Sequence, residues 1–159
     1  MKTSYKIVDR KKLLEILQPK RSVGKSIAFT NGCFDILHIG HVSYLEAARK
    51  NDRVLVVGLN SDASVRRIKG KSRPIFNQKQ RALVLAALAC VDYVVIFNED
   101  TPAKLIEALK PDVLIKGADW KGKIVVGAQI VRDHGGKVEF IKFIPNASTT
   151  RIIHELTKS

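Results

Sequence analysis

Residues 30–41 read Thr30-Asn31-Gly32-Cys33-Phe34-Asp35-Ile36-Leu37-His38-Ile39-Gly40-His41. The apolar run Ile27-Ala28-Phe29 precedes them, and a helical pattern from Val42 to Arg49 follows. A strand that ends in a glycine turn and feeds a helix leaves unpaired backbone N–H groups at the helix entrance, which favours a phosphate there. His38 and His41 are three residues apart, so both rings can face one side, and Gly40 between them lets a ligand come close to the backbone. Two imidazoles over a phosphate donate hydrogen bonds to oxygens whose charge grows as a new P–O bond forms. The same pair is also half of a metal site. Zinc would need further ligands, and Cys33, Cys90, His134 and His154 show no ligand spacing, so no resident metal is expected.

Outward from this stretch, strand and helix patterns alternate. Val54 to Leu59 is a continuous apolar run, as expected of a strand buried on both faces of a parallel sheet. Asn77-Gln78-Lys79-Gln80 has the capping-box form and opens a helix to about Cys90. Val91 to Phe97 is the next strand, and Thr101-Pro102 supplies N-cap and first position for a helix through Leu109. Asp112 to Gly117 is a fourth strand, residues 127–136 a short helix closed by Gly135-Gly136, and Val138 to Ile144 a fifth strand. Strand one spans about 27–31, with its helix running to about Asn51. Right-handed crossovers then give one doubly wound, Rossmann-like α/β domain with a five-stranded parallel sheet of order 3-2-1-4-5, and ligands at the carboxyl ends of strands one and four.

Residues 1–24 form a helical extension to this domain of residues 25–159. Leu13, Leu14, Ile16 and Leu17 share one face, Asp9 caps the helix and Pro19 closes it. Packing on the domain or on a second subunit is its expected job. From Arg66 to Arg81 seven basic residues (Arg66, Arg67, Lys69, Lys71, Arg73, Lys79, Arg81) follow one another with no acid between. Gly70, Ser72 and Pro74 make this a loop, read as a mobile flap that neutralises a triphosphate. Ser148-Thr149-Thr150 opens a last helix, with Ile152, Ile153 and Leu156 inward, and forms an anion seat. Asp119 is either a helix N-cap beside a surface Trp120 or part of a ligand site on which Trp120 stacks a ring.

Gly-x-Phe-Asp-x-x-His-x-Gly-His resembles the signature of the cytidylyltransferase-like nucleotidyltransferase superfamily. Asn31 to Arg49, Gly58 to Ser64, Lys69-Gly70 through Ser72-Arg73-Pro74, Val91-Asp92, Glu99 to Pro102, Pro111-Asp112, Lys116-Gly117 and Ser148-Thr149-Thr150 together resemble the D-glycero-β-D-manno-heptose 1-phosphate adenylyltransferases, over about residues 25 to 156. Those enzymes stand alone or form the C-terminal half of a bifunctional heptokinase-adenylyltransferase. The resemblance implies AMP transfer from ATP to a sugar 1-phosphate, giving ADP-heptose and pyrophosphate for lipopolysaccharide core synthesis. It makes His38, His41 and Lys69 catalytic. It makes Asn31, Gly32, Cys33, Phe34, Asp35, Gly40, Arg73, Lys116, Gly117, Asp119 and Ser148–Thr150 nucleotide-binding, with Lys116 on a phosphate and Asp119 on a hydroxyl. Mg²⁺ would bridge phosphate oxygens through mostly water ligands, and Asp35 would hold such a water or fix the turn. A homodimer and a separate heptose kinase upstream are the implied partners. The alternative is a cytidylyltransferase acting on glycerol 3-phosphate; related enzymes of that kind carry a basic residue where this chain has Ala89-Cys90, which favours ATP over CTP.

Bulk composition bounds these readings. With 159 residues, 45% hydrophobic, the chain fits one core. The longest apolar run, Ala82 to Val91, is too short to cross a bilayer, no signal-peptide pattern opens the chain, and two cysteines argue for reduced thiols. A cytoplasmic protein with no membrane partner is expected. Lys+Arg 28 against Asp+Glu 15 gives +13, which raises the question of nucleic acid. The chain lacks a basic tail, interleaved aromatics or a zinc-finger pattern, so the excess charge reads as solvated surface plus a polyanion site, with no nucleic-acid partner. A nucleic-acid module with a vestigial His-x-Gly-His would bind with steep salt dependence and turn nothing over.

Overall fold

The computed structural model describes residues 3–142 and 149–156, with the side chains of 150, 151, 154 and 156 left aside. Five strands, β1 (Ser26–Gly32), β2 (Arg53–Asn60), β3 (Tyr93–Phe97), β4 (Val113–Gly117) and β5 (Lys137–Ile141), form one sheet of order β3-β2-β1-β4-β5. Every registered pair is parallel. The helices are α1 (Arg10–Ser22), α2 (Ile39–Ala48), α3 (Asp62–Lys69), α4 (Gln78–Ala87), α5 (Ala103–Leu109), α6 (Ala128–Asp133) and α7 (Thr149–Leu156).

The two sheet faces sort by the two-residue period of the strands. Ile27 and Phe29 of β1, Val54 and Val56 of β2, and Leu114 of β4 share one core with Leu13 and Leu17 of α1, Leu105, Ile106 and Leu109 of α5, and Val131 of α6. Ala28, Leu55, Val57, Leu59 and Ile115 point to the other face, against Leu45 and Ala48 of α2 and Ala82, Leu85 and Ala86 of α4. All eight residues of β2 are buried, as its apolar run predicts. Gly58 stands where any Cβ would lie 2.7 Å from Cζ of Phe29, so the central strand gives up a side chain to seat that ring.

Two matching clamps set the strand register at the amino edge of the sheet. Asp112, just before β4, donates its N–H to the Ile27 carbonyl (2.9 Å) and accepts the Ile27 N–H on Oδ2 (2.7 Å). Asp92, just before β3, does the same with Leu55, at 3.1 and 2.7 Å. Each carboxylate is paired with an arginine from the end of a preceding helix: Arg21 with Asp112 (3.2 Å) and Arg49 with Asp92 (3.0 Å). β1 and β4 then ladder only at Ala28–Val113 and Phe29–Leu114, whereas β1 and β2 stay in register from Ser26 to Gly32. The crevice opens where β1 and β4 part.

Several boundaries differ from the sequence reading. Pro19 does not close α1; the helix runs to Ser22 because Pro19 and Glu15 are exposed, so the missing N–H leaves a solvated carbonyl, and Arg21 beyond it is anchored on Asp112 and the Leu109 and Lys110 carbonyls. Leu14 faces solvent and Ile16 is half-buried; only Leu13 and Leu17, four apart, enter the core. α1 thus packs on this domain. The helix after β1 stops at Ala48, short of Asn51, and the capping-box helix stops at Ala87, short of Cys90, where the Lys6 ammonium takes the Leu88 and Val91 carbonyls (3.1 and 2.7 Å). α5 starts at Ala103, with Pro102 rather than Thr101 at its N-cap. β3 is shorter than read, Tyr93–Phe97, and β5 begins one residue earlier than read, at Lys137, and runs to Ile141. Part of the supposed loop is helix α3, which carries Arg66, Arg67 and Lys69. The stretch 143–148, with the end of the read fifth strand and Ser148, lies outside the described residues.

Candidate active site

A crevice of about 510 Å³ opens at the carboxyl ends of β1, β2 and β4. Its walls include Asn31, Gly32, Cys33, Phe34 and Asp35 after β1, Lys69 and Arg73 after β2, Lys116, Gly117 and Trp120 after β4, and His41, Tyr44 and Thr149. A larger hollow of about 640 Å³ lies beside the N-termini of α3 and α4, among Ser61, Arg66 and Lys79, and none of the predicted site residues among those described lines it. Volume alone does not single out the site; the histidines do.

His38 occupies the N-cap position of α2 and His41 its first turn, and the rings stack with centroids 3.9 Å apart and planes inclined by 27°. Phe34 also packs on His41, its ring centroid 5.2 Å away and its plane inclined by 59°. Phe34 does so from a left-handed backbone (φ 43), a conformation a bulky residue holds only where packing fixes it. Burial lowers the basicity of His38, and burial together with the neighbouring His38 brings His41 down to about 4, with the Ile36 carbonyl pulling weakly the other way. Both rings are therefore neutral near pH 7. Their Nδ1 atoms are buried with no hydrogen-bond partner among the described residues.

Lys116 leaves β4 opposite Asn31 of β1, and its ammonium donates to Asn31 Oδ1 at 2.5 Å, bridging the two strands after their ladder has ended. Burial brings this lysine down to about 8, with Asp119 resisting. In the same wall, Tyr44 shares a buried hydrogen bond of 2.7 Å with Thr30, and burial raises the Tyr44 phenol well above its ordinary value. Burial also raises the Cys33 thiol, against the pull of Lys69, Arg81 and Arg73, so a thiolate nucleophile is disfavoured.

Asp35 fixes the loop. Its carboxylate accepts the N–H groups of Ile75 (2.8 Å) and Phe76 (3.1 Å) and Nε of Arg73 (2.5 Å). Burial alone would raise this carboxyl, but those donors outweigh it and hold it below its ordinary value. Of the two roles read from the sequence, its contacts are those of a turn-fixing residue. The loop reading is corrected for its first part, since Arg66 to Lys69 belong to α3, while residues 73–76 are tied to Asp35 and Arg73 lines the crevice with its guanidinium paired to that carboxylate.

Arg81, counted from the sequence in the basic run of the flap, is buried. Its guanidinium donates to the carbonyls of Cys33 (2.5 Å), Asn60 (2.9 Å) and Phe76 (2.9 Å) and to Asp62 Oδ1 (2.8 Å). The basic run hid it; the signal available was its place four residues after the Asn77 cap, on the same α4 face as Ala82 and Leu85. His38, Gly40 and Asp119 do not line the crevice, and Gly40 is buried inside α2 rather than offered to a ligand. Asp119 sits within a 3-10 turn, Ala118–Trp120, and caps no helix. Thr149 lines the crevice and donates to the Ile36 carbonyl (3.3 Å). Among the described residues no cluster of three or more His, Cys, Asp or Glu suits a metal, and no helix is long and apolar enough to cross a membrane.

Comparison with known proteins places this geometry. The bifunctional protein HldE of Syntrophotalea carbinolica is 52% identical over 95% of this chain and 31% of its own length. That of Campylobacter jejuni subsp. doylei is 56% identical over the same shares. The chain thus spans about a third of the length of the curated relatives it matches. The crystal structure of the lipopolysaccharide core biosynthesis protein from Thermoplasma volcanium superposes with a TM-score of 0.61 at 30% identity, covering 76% of this chain and 98% of that one. The family described as cytidylyltransferase-like matches residues 29–155, and with stacked His38 and His41 at the crossover from β1 to α2, the chain belongs to it.

Proposed function

We propose that the chain transfers AMP from ATP to D-glycero-β-D-manno-heptose 1-phosphate, releasing pyrophosphate and forming ADP-heptose. The observation that carries this reading is the stacked imidazole pair beside a crevice whose two flanks bring Lys69 and Lys116, one from the β2 side and one from the β4 side. An oxygen of the sugar phosphate attacks the α-phosphorus in line. The bond to the β-phosphate oxygen breaks, and its electron pair leaves with pyrophosphate. No protein nucleophile is required.

In this reading His38 and His41 donate to oxygens on the α-phosphate as negative charge builds there. Neutral rings serve as single donors, and a bound polyanion raises their basicity so that one can take up a proton. The backbone N–H groups from Gly32 to Asp35, Lys69, and the start of α7 at Thr149 and Thr150 receive the β- and γ-phosphates. Arg73 contributes charge while held by Asp35. Mg²⁺ enters as MgATP, because Asp35 is engaged by three donors and no carboxylate cluster is at hand among the described residues. The names of the relatives support the pathway: several are called bifunctional, and one solved neighbour is a lipopolysaccharide core biosynthesis protein.

The test is pyrophosphate release with ATP or CTP against heptose 1-phosphate and glycerol 3-phosphate. Turnover with ATP and the heptose is expected. His38→Ala and His41→Ala should each lower it on the order of a hundredfold with the fold intact. Turnover confined to CTP and glycerol 3-phosphate would overturn the reading.

A further inference from the structure

Thr30 and Tyr44 have no role in the scheme above, yet their hydrogen bond of 2.7 Å joins β1 to α2. Thr30 is 1% exposed, and its backbone is fixed in the ladder opposite Val57 of β2. Tyr44 is 6% exposed and stands three residues after His41. His41, Tyr44, Leu45 and Ala48 make the i, i+3, i+4, i+7 stripe of one helix face, and the last three enter the core beneath α2. The strand residues in that core are apolar: Ala28, Leu55, Val57 and Ile115. A hydroxyl pair placed there adds little net stability, because its bond replaces bonds to water. It is directional, however, where apolar contact is not.

The sequence of α2 does not by itself select a rotation. Ile39 and Ala47 are apolar and exposed, so apolar side chains lie on more than the inward face. Its N-cap, His38, makes no side-chain capping bond. Ala28 and Ala48, both fully buried, give the helix–sheet contact shallow relief, and Leu45 sets the inward face only coarsely. The hydroxyl pair narrows it. Both histidines ride on the start of the same helix, one at the N-cap and one in the first turn. A roll of about 10° carries a ring about 6 Å from the helix axis through about 1 Å. A misplacement of that size costs up to about a hundredfold in turnover.

Resting on the reading of His38 and His41 as donors to the reacting phosphate, we propose that Thr30 and Tyr44 are positioning residues: their hydroxyl pair sets the roll of α2 on β1, and with it the place of both imidazoles beside the crevice. The pair serves turnover more than stability. The competing role for Tyr44 is direct contact with a ligand, since it lines the crevice.

Thr30→Val and Tyr44→Phe keep the shape of each side chain and remove one hydroxyl. Each should lower Tm by about 2–4 °C, because the other hydroxyl stays buried without this partner. Each should also cut kcat about tenfold or more, with both KM values within about twofold. In the double variant neither hydroxyl is stranded, so Tm should recover most of the loss while kcat stays as low as in the single variants. Thr30→Ser keeps the hydroxyl and should hold kcat near wild type. If a single variant fails to fold, the double variant and Thr30→Ser decide. A second readout needs no turnover. The His41 imidazole, brought down to about 4 by burial and by His38, is titrated by NMR in the intact chain. A looser roll exposes the ring, so its midpoint should rise by about 0.5 or more in Thr30→Val. A kcat that recovers along with Tm in the double variant overturns the proposal. So does a Thr30→Val kcat within about twofold of wild type, a Tyr44→Phe loss confined to KM, or an unmoved His41 midpoint. Turnover is measured with whichever nucleotide and acceptor the wild type uses, so failure of the heptose reading leaves this test standing. If no pair is turned over, the function falls and the His41 midpoint alone decides.

Discussion

Arg81→Met is the most informative single change for the architecture around the site. The guanidinium is fully buried and serves four acceptors from three segments: Cys33 in the turn after β1, Asn60 and Asp62 where β2 passes into α3, and Phe76 in the pinned loop. Methionine fills much of the space but donates nothing. Each of the three carbonyls left without a donor costs about 1 kcal/mol or more, and a charge-assisted bond to a carboxylate about 1.5–3 kcal/mol. Asp62 keeps some access to water, which reduces its share. The sum is a loss of about 3–5 kcal/mol, the range found when one partner of a buried pair is removed. Against a total stability of about 5–15 kcal/mol this is severe but survivable. For a chain of this length it lowers Tm by about 10 °C. Urea unfolding followed by far-ultraviolet circular dichroism, with wild type and Arg81→Lys alongside, measures it; Arg81→Lys should fall between. A loss under about 1 kcal/mol with unchanged slope would refute the claim that this residue braces the three segments.

Other outcomes follow from the same geometry. His41 is held at about 4 in the fold against an ordinary 6.5, so the unfolded chain binds more protons between those values. Stability should fall as pH drops through that window, and His41→Phe should flatten this part of a pH–denaturation curve. Lys116, brought down to about 8 by burial, carries its charge only below that value in the free protein. Phosphate-ligand affinity should weaken as pH rises past about 8, and Lys116→Met should both weaken binding and remove the inflection in a calorimetric pH series. Asp35→Ala removes the acceptor for Ile75, Phe76 and Arg73, so amide exchange at Ile75 and Phe76 should quicken, with about 2 kcal/mol of stability lost. Unchanged protection at those amides would show that Asp35 does not hold the loop.

The strand order and the crossover bearing His38 and His41 were legible because both arise from local patterns: apolar runs, a glycine turn, and the right hand of crossovers. Loop chemistry was not. Arg73 and Arg81 belong to one run of basic residues, yet one ends on a buried carboxylate and the other inside α4, and only tertiary contact separates them from the exposed Lys71. Pro19 misled for the same reason, since an arginine two residues later finds its partner ninety-one positions along the chain. Lys116 was readable as cationic, but its bond to Asn31 depends on how far β1 and β4 diverge, which no periodicity encodes.

The aspartate clamp on β1 and β4 acts as a gauge for chemistry at the far end of the same strands. Asp112 and Arg21 fix which residue of β4 stands beside which residue of β1, and only two ladder pairs carry that setting toward the crevice. A slip of one position would move Lys116 about 3.3 Å along its strand and turn its side chain to the opposite face, out of reach of Asn31. The opening helix, which brings Arg21, thereby calibrates the gap that two substrates must share, from the edge of the sheet they never touch.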